Sequence, residues 1–598
     1  MNIIEVVFDI PVDKKFEYLI DKEIAPFVRV LVPFGKTKKV GFVVSVKKGE
    51  KQELKKVIKV YDKCPIINSY LYQLANFISE TFISSLGQAI FSIIGTLPIR
   101  HTSFDIKEKK GKKEKGKRKI IIFKKEDEKK NYYLNLIKEN IKDGSVLFLL
   151  PEVEIAKEYF SFLNTEFKNC ILYYGEMKRK EKGEKWVEIA NGERNIIIGT
   201  RICIFLPISD PSSIIIEDAT NQAYLERQTP KYETLKIAEF ENEKIGTSLY
   251  IGENCLSVEN YLDIKNGRYG SVVLGKEENP SQIYILKLRK GLMDKNLTFL
   301  TKEAVSLMEE TIIKKKKVAI VHNRKGGSKI LICEKCNYKF TCKNCSTLLT
   351  LSDDGKTLFC KYCKTYFEFE KKCPECGSKK ITFKSYGIEK MANVLKQTYK
   401  NLKIEKFTGE SKIIDDEFDI LIGTGIIEKV IKKFDFGLII FSNADLYLNL
   451  NDFSAEEKFF ILVHKFLSVT QNTCFLIIQT GSPELEIFKA IKERNEDIFF
   501  EKEIKIRKQI GYPPFSKLLK IEIKGSKKTP LEKRKKMVEE IIKEDNLKII
   551  YSGESFPPVI GKKHIWKFLI KIDDKIPKKI KELIDGKFIT ASFNPSHI

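Results

Sequence analysis

The sequence predicts an α/β protein of several domains that contains two parallel β-sheets, each flanked by helices. From Ile120 onward, short apolar runs such as SVLFLL, NIIIGT and SSIIIED alternate with amphipathic segments of helical length. After Met293 the same alternation returns in KVAIVHN, FDILIGT and CFLIIQTG, and a block of cysteines interrupts it. Strands that alternate with helices form right-handed βαβ units, so the two sets predict two sheets.

The N-terminal part is predicted to be a small β-rich domain over residues 1–104. The runs IIEVVFDI, VRVLVPFG and KVGFVVSV are rich in β-branched residues and are separated by Pro and Gly. A helix-like stretch, YLYQLANFISETFISSLGQAIFSII, follows them. Residues 105–119 carry many charges without apolar periodicity, which indicates a basic linker.

The remaining divisions follow the same patterns. Residues 120–275 form the first set of strands and helices, and residues 276–330 and 381–490 form the two parts of the second set. The cysteine block makes an insertion over residues 331–380. Residues 491–598 mix strands and helices and are predicted to be a small α+β C-terminal domain.

Composition narrows the class of protein. The 598 residues are 42% hydrophobic, which is enough to bury several cores. A net charge of +26 favours polyanionic partners such as nucleic acid, although a lysine-rich proteome composition would give the same charge. The N-terminus has no basic head before an apolar stretch, and no run of ~18 uncharged apolar residues occurs. We therefore expect a cytoplasmic protein without membrane partners.

Cysteine spacing predicts metal binding. Eight of the 13 cysteines lie between Cys333 and Cys376, in four pairs whose members are separated by two residues. Two such pairs supply the four thiolates of a structural zinc site, so four pairs predict two sites, whose pairing could be sequential, nested or interleaved. An iron–sulfur cluster is the alternative, and the regular pairing of knuckles disfavours it. Closed four-thiolate sites leave no position for a substrate, so the metal should be structural.

Several segments, in their order along the chain, resemble the PriA family of primosomal replication-restart proteins, which are superfamily 2 DNA helicases. The segments include VLVPFGK, LLPEVEIA, IIIGTRICIFLP, QTPKYE, CPECGSKKI, NADLYLNLNDFSAEEKFF and RKQIGYPPFSKL. The likeness covers nearly the whole chain, but only the basic linker stands in place of the family's winged-helix domain. It implies two RecA-like helicase lobes, an N-terminal domain that binds the 3′ end of DNA, and a C-terminal DNA-binding domain.

The resemblance also implies ligand sets for the two zinc ions. The outer knuckles would hold zinc 1 and the inner knuckles zinc 2. The first set is Cys333, Cys336, Cys373 and Cys376, and the second is Cys342, Cys345, Cys360 and Cys363.

The family's 3′-end pocket maps onto five positions: Phe16, Glu17, Tyr18, Gly35 and Lys55. An aromatic ring can stack on a base, a carboxylate can accept a hydrogen bond from a base or sugar hydroxyl, and a lysine can contact phosphate. Position 17 is Glu where the family usually has Asp. From spacing alone, Phe16 and Tyr18 share one face of a strand and are more typical of core residues.

The ATPase motifs of the family are degraded in this chain. Where the family has a glycine-rich P-loop, the chain reads FKKEDEKKN, with Lys129 at the lysine position and three acids before it. The family's Walker B sequence Asp-Glu-Glu-His is replaced by EDAT, residues 217–220, whose two acids are Glu217 and Asp218. The family's Gly-Ser-Ala-Thr segment reads GENC from Gly252 to Cys255.

The arginine finger is also missing, because no arginine occurs between Arg324 and Arg494. Loss of such a finger alone lowers phosphoryl-transfer rates by ~10³ to 10⁵. We therefore assign no catalytic residue, treat Lys129, Glu217 and Asp218 as degenerate positions, and do not expect ATP with Mg²⁺ as a working cofactor. The expected cofactors are two Zn²⁺ ions per chain.

These patterns predict a replication-restart protein that binds arrested or branched forks carrying a 3′ end and initiates primosome assembly without helicase activity of its own. Its expected protein partners are primosome components and the machinery that loads the replicative helicase, with single-stranded-DNA-binding protein as a further candidate. Two alternatives remain open at this point. One is an active ATP-dependent 3′-to-5′ helicase with divergent motifs, and the other is a zinc-containing nucleic-acid-binding scaffold.

Overall fold

A computed structural model provides the structure of the chain. It describes residues 2–49, 53–95, 116–275, 282–323, 331–336, 338, 340–342, 349–351, 357–360, 365–383, 387–407, 417–450, 452–470, 474–525, 528–560, 563–572, 576–584, 586 and 588–593. The fold and sites below concern these residues.

The chain begins with an antiparallel five-stranded sheet in the order β2-β1-β4-β3-β5. Its strands are β1 (Asn2–Val7), β2 (Phe16–Ile20), β3 (Arg29–Phe34), β4 (Thr37–Lys48) and β5 (Lys59–Val60). Two helices follow, α1 (Ser69–Thr81) and α2 (Leu86–Ile94). The β-rich N-terminal part that the sequence predicts is therefore present.

The helix-like stretch of the sequence is two helices because a capping box starts the second one. The Ser85 hydroxyl accepts a hydrogen bond from the backbone N–H of Gln88, and the Gln88 side chain accepts one from the backbone N–H of Ser85. Two otherwise unpaired donors are thereby satisfied at the start of α2. Just before it, Ile83 adopts a positive φ of 54°, which ends the helical path.

The first lobe is built on a seven-stranded sheet in the order β12-β6-β11-β10-β7-β9-β8, and every neighbouring pair is parallel. The strands are β6 (Arg118–Phe123), β7 (Ser145–Leu149), β8 (Cys170–Tyr173), β9 (Ile196–Gly199), β10 (Pro211–Glu217), β11 (Ser248–Glu253) and β12 (Gly270–Leu274). The helices are α3 (Lys129–Asn140), α4 (Val153–Glu166), α5 (Arg179–Ala190), α6 (Thr234–Ile245) and α7 (Val258–Lys265). β6 includes the last two residues of the predicted basic linker, Arg118 and Lys119, and Lys119 already pairs with β11 and β12.

The second lobe has a six-stranded parallel sheet in the order β13-β23-β22-β14-β21-β20. Before the insertion come β13 (Ile283–Lys287), α8 (Lys302–Ile313) and β14 (Lys317–Val321). The insertion carries β15 (Leu331–Cys333), β16 (Leu349–Leu351), β17 (Thr357–Cys360), β18 (Tyr366–Glu368) and β19 (Ile381–Phe383). After it come α9 (Ile388–Thr398), β20 (Ile404–Phe407), β21 (Ile420–Gly423), α10 (Glu428–Ile431), β22 (Phe436–Phe441), α11 (Asp445–Leu448), α12 (Ala455–Val469), β23 (Phe475–Thr480), α13 (Glu486–Glu493) and α14 (Glu496–Ile510). The two parallel sheets with flanking helices confirm the predicted α/β class.

The C-terminal part is an antiparallel four-stranded sheet in the order β25-β26-β24-β27, with two helices. Its elements are β24 (Lys517–Gly525), α15 (Lys528–Glu544), β25 (Lys548–Ile560), β26 (Lys563–Ile572), α16 (Lys578–Leu583) and β27 (Ile589–Phe593). The sheet buries Leu519, Ile521 and Ile523 in a core that also includes Ile83 of the N-terminal part. Within the described residues, no helix is both long and apolar enough to cross a membrane.

A buried ion pair joins both lobes to α14. The guanidinium of Arg507 donates to Glu457 on α12 at 2.8 Å and to Glu503 at 2.9 Å. The other carboxylate oxygen of Glu457 accepts from the backbone N–H of Val258, at the first turn of α7 in the first lobe, at 2.7 Å. Glu457 therefore links three segments that are far apart in the sequence.

We predict that Arg507→Leu destabilises the protein by about 3–5 kcal/mol, because the substitution leaves the buried carboxylates of Glu457 and Glu503 without their cation. Urea denaturation followed by intrinsic fluorescence measures the effect. Lys508→Leu is the matched control, because Lys508 is the exposed neighbour on the same helix. Equal midpoints for the Arg507 variant and the wild type would contradict the prediction.

Candidate functional site

The segment at the P-loop position forms a tight turn that is followed directly by a helix. β6 ends at Phe123, one turn of 3₁₀ helix covers Glu126–Glu128, and α3 begins at Lys129. The Lys129 side chain is almost fully buried, and its Nζ lies 2.5 Å from Glu217 Oε1 and 2.8 Å from Glu126 Oε2. It also donates to Asn254 Oδ1 at 3.0 Å. Three side chains of the protein thus contact this ammonium group.

Glu217 is the centre of this cluster, at the end of β10 next to three buried isoleucines. One carboxylate oxygen accepts from Lys129 and the other accepts from the hydroxyl of Tyr133 on α3. Burial raises the pKa of Glu217, and the charge of Lys129 opposes that effect. Burial would lower the pKa of the Lys129 ammonium, but the charges of Glu217 and Glu126 raise it above its ordinary value. Lys129 is therefore held as a cation.

Gly252, the first residue of the GENC segment, leaves room for this cluster. A Cβ added at Gly252 would lie 1.8 Å from the Tyr133 hydroxyl and 2.4 Å from Glu217 Oε2. A side chain at this position would thus displace the tyrosine from the carboxylate. Next to it, Glu253 is buried and accepts from the backbone N–H of Thr220 at 3.0 Å and from its hydroxyl at 3.2 Å. Burial and the nearby charge of Asp218 raise the pKa of Glu253.

Asp218 faces the second lobe. Its backbone adopts a positive φ of 54°, and its carboxylate receives Lys465 of α12 at 2.7 Å and the side-chain amide of Asn221 at 2.8 Å. Burial would lower the pKa of Lys465, but the Asp218 and Glu428 charges raise it. A second ion pair between the lobes joins Lys429 of α10 to Glu152. The lobes are therefore bridged by side chains at the cleft where the family binds nucleotide.

The cleft itself is a cavity of about 940 Å³ between the lobes. Eight carboxylates and six lysines line it, so its walls have an excess of negative charge. A site for a triphosphate needs the opposite balance, because the phosphates require cations and backbone N–H donors. The arrangement suits charged contacts between the lobes better than it suits nucleotide binding.

The four outer cysteines of the insertion form one cluster. The Sγ atoms of Cys333 and Cys376 are 3.6 Å apart, and those of Cys336 and Cys373 are 3.5 Å apart. All four sulfurs lie within 4.8 Å of one another. In a tetrahedron with Zn–S bonds of 2.3 Å the sulfurs would be about 3.8 Å apart, so the cluster fits a zinc ion closely.

Backbone structure explains why these sulfurs meet. β15 pairs with β19 so that Cys333 lies opposite Ile381, which brings the first and last knuckles together. In the last knuckle, the backbone N–H of Gly377 donates to the Cys373 carbonyl at 2.9 Å, and Gly377 has a positive φ of 67°. Of the inner set, Cys342 is buried and Cys360 ends β17, whereas Cys345 and Cys363 lie outside the described residues.

The predicted 3′-end pocket is spread over β2 and the neighbouring turns. Phe16 is half-buried, and its ring packs 5.3 Å from that of Phe8 and 5.5 Å from that of Phe34. Tyr18 is buried, and its hydroxyl donates to the Pro33 carbonyl at 3.0 Å. Both aromatic residues thus contact the domain core, as their spacing indicates.

The other three pocket positions lie near them. Glu17 is exposed on the opposite face of β2. Gly35, with a φ of 59°, forms the turn between β3 and β4, and a Cβ there would meet nothing within 4 Å. Lys55 is exposed, and its carbonyl accepts from the backbone N–H of Leu19 at 3.0 Å. Leu19 follows Glu17 by two residues on β2, so the backbones of Lys55 and Glu17 lie near each other. Their roles in DNA binding stay predictions.

Sequence reasoning missed the cation that completes the cleft. Lys465 lies in HKFLSVTQ, inside the stretch between Arg324 and Arg494 that has no arginine. Its side chain pairs with Asp218. A basic residue in that segment was the available signal. Glu126, one of the three acids before Lys129, contacts Lys129 through its carboxylate, which the sequence did not indicate.

Comparison with known proteins gives consistent results. A family model described as the PriA 3′DNA-binding domain (3′BD) matches residues 5–95. The replication restart protein PriA of Borreliella burgdorferi is 26% identical and covers 86% of this chain and 85% of its own. PriA of Rickettsia conorii is 25% identical over 95% of this chain and 94% of its own.

The chain covers a smaller share of some relatives. PriA of Thermotoga maritima is 26% identical over 64% of this chain, and the match covers 54% of that protein. Among solved structures, RecG bound to a three-way DNA junction is 12% identical with a TM-score of 0.36, covering 72% of this chain and 48% of that one, a likeness too low to support an argument. The N-terminal match and the relatives that span most of the chain agree on one assignment. The chain is similar to PriA replication restart proteins over most of its length, and residues 5–95 match the PriA 3′DNA-binding domain.

Proposed function

We propose that this protein binds arrested or branched replication forks and initiates primosome assembly in the cytoplasm, and that it does so without unwinding DNA itself. Similarity to PriA replication restart proteins and the 3′DNA-binding match over residues 5–95 support the binding role. The state of the nucleotide cleft supports the absence of a motor.

The single observation that carries the loss of the motor is the pairing of Lys129. In an active motor the lysine at this position contacts the β- and γ-phosphates. Here Glu217 and Glu126 already neutralise it inside the protein. A nucleotide would have to break a buried ion pair and approach Glu126 with its own negative charges, both of which oppose binding.

The lobes would then serve as a scaffold. A motor needs two arrangements of its lobes that nucleotide binding and hydrolysis exchange. In this protein Asp218 with Lys465 and Glu152 with Lys429 join the lobes through the chain's own charges. The scaffold would hold the N-terminal and C-terminal DNA-binding parts at a fixed separation and present the zinc insertion to partner proteins.

The N-terminal domain would receive the 3′ end of a nascent strand. Lys55 and Glu17 are exposed side chains on neighbouring segments and can meet phosphate and a sugar or base hydroxyl. Phe16 is half-buried, so part of its ring remains for stacking on a terminal base. The buried Tyr18 would support the pocket from the domain core, and the turn at Gly35 would form part of its wall.

The insertion would hold two zinc ions, zinc 1 on the outer cysteines and zinc 2 on Cys342, Cys345, Cys360 and Cys363. The sulfur geometry of the outer set supports the first ion. Primosome components, the machinery that loads the replicative helicase and single-stranded-DNA-binding protein are the proposed partners.

We predict that the purified protein prefers a fork with a 3′-OH at the junction to plain duplex and to RNA, and that it hydrolyses no ATP in the presence of any of them. The reason is that Lys129 is already paired with Glu217. Titration with the three nucleic acids at one fixed salt concentration, with and without ATP, measures both properties, because affinity for phosphate falls steeply with salt.

The variant that decides between a silent and a working motor is Lys129→Ala. DNA-stimulated hydrolysis in the wild type that disappears in Lys129→Ala, but not in its neighbour Lys130→Ala, would establish an active helicase and refute the proposal. Equal affinity for fork, duplex and RNA would instead support a general nucleic-acid scaffold.

We predict that Lys55→Ala weakens fork binding and lowers the slope of log affinity against log salt by about 1, as expected for loss of one phosphate contact. Lys56→Ala is the matched control, because Lys56 is already paired with Asp21 at 3.1 Å. Fluorescence anisotropy at several salt concentrations gives both slopes. Equal slopes for the two variants would argue against a role for Lys55 at the 3′ end.

We predict that Cys333→Ser and Cys342→Ser each remove one zinc equivalent relative to the wild type, and that the double variant removes two. Zinc stabilises such small insertions directly, so residues 331–383 should also lose protection from hydrogen exchange. Elemental analysis counts the metal, and Cys64→Ser serves as the control. A double variant that loses only one equivalent would contradict the second site.

A further inference from the structure

A second group of metal-ligand side chains lies where the two lobes and α14 pack together. Cys255 follows β11 in the first lobe, His464 belongs to α12 in the second lobe, and Glu496 is the first residue of α14. A sulfur, an imidazole nitrogen and a carboxylate oxygen from these residues lie within 4.8 Å of one another. Thiolate, imidazole and carboxylate are the three ligand types that zinc uses in proteins.

One distance between these ligand atoms already matches that of a formed site. A tetrahedral ion with bonds of about 2.0–2.3 Å holds its ligand atoms roughly 3.3–3.8 Å apart. His464 Nδ1 and Glu496 Oε1 are already 3.5 Å apart. Cys255 and His464 are buried, so the chain has already removed these two side chains from water.

The surroundings leave these groups poorly satisfied. Among the described residues, no hydrogen-bond partner meets the buried Nε2 of His464. Within the described part of the chain, the Cys255 thiol donates to the Leu256 carbonyl alone, at 3.6 Å. Buried polar groups normally have partners, so a bound ion would supply one to the thiol and to the imidazole. The ring of Phe460 packs 4.5 Å from the imidazole and shields it.

One cation competes for the site. The ammonium of Lys124 contacts the carboxylate of Glu496, and its side chain is 26% exposed. Rotation of this side chain toward solvent would free the carboxylate without unfolding any element. Binding would also release the Cys255 thiol proton to solvent, so that thiolate and carboxylate together balance the two charges of the ion.

We propose that Cys255, His464 and Glu496 bind a divalent metal ion of borderline softness, Zn²⁺ or Co²⁺, with water as the fourth ligand. This site is separate from the cysteine insertion and does not depend on the proposed fork binding. Because its ligands come from the first lobe, the second lobe and α14, the ion would fasten these three segments to one another. The bound ion would thus add to the contacts between the lobes that the ion pairs Asp218–Lys465 and Glu152–Lys429 already make.

Equilibrium titration of the metal-free, reduced full-length protein with Co²⁺ tests the site, with cobalt absorption as the readout. The wild type should bind one equivalent more than Cys255→Ser, and the same difference should appear for His464→Gln and for Glu496→Gln. Cys474→Ser is the matched control, because Cys474 is another buried cysteine, outside the cluster, and it should bind as many equivalents as the wild type. Equal stoichiometry for the wild type and all three ligand variants would overturn the proposal.

A second variant separates binding at this site from a loss of folding. Lys124→Met removes the competing ammonium and leaves all three ligands in place, so half-saturation of the additional equivalent should occur at a lower Co²⁺ concentration. Metal should also raise the thermal unfolding midpoint of the wild type more than that of Cys255→Ser. An unchanged or higher half-saturation concentration in Lys124→Met would count against coordination by Glu496.

Discussion

The buried contact between Lys129, Glu217 and Glu126 is the interaction that organises the first lobe at the cleft. A lone ammonium or carboxylate at this depth would cost several kcal/mol, so each group needs the other. The sheet fixes Glu217 at the end of β10, and the first turn of α3 fixes Lys129. Because the pair is satisfied within the chain, the lobe is stable without a nucleotide, and the retained Gly252 and Tyr133 fit around the pair.

The same constraint extends across the cleft. Asp218 is the residue after Glu217, and its carboxylate receives Lys465 from the second lobe. Glu457 receives Arg507 and the backbone of Val258, so α12 contacts the first lobe on one side and α14 on the other. Charges on both sides of the cleft are thus paired with one another in the structure. The proposed metal site of Cys255, His464 and Glu496 lies along the same helix and would act in the same direction.

The N-terminal sheet and the cysteine insertion do not depend on the chemistry of the cleft between the lobes. The N-terminal sheet lies within the part that matches the 3′DNA-binding domain, and the four outer cysteines form one cluster. A DNA-end pocket and a structural zinc site depend on local shape, and neither needs nucleotide chemistry. The proposed loss of hydrolysis is therefore compatible with the surfaces proposed for forks and partners.

The sequence by itself determined the two parallel sheets, the cysteine insertion and the absence of a P-loop, because strand–helix alternation, knuckle spacing and missing glycines are local patterns. It left open the pairing of knuckles, which the register of Cys333 opposite Ile381 decides for the outer set. It also could not show that Lys129 meets Glu217, 88 residues away, or that Lys465 meets Asp218, 247 residues away. Only the tertiary structure decided those contacts, because parallel strand order brings the end of β10 beside α3 and because α12 packs across the cleft. No local pattern encodes which distant charge will neutralise a buried one.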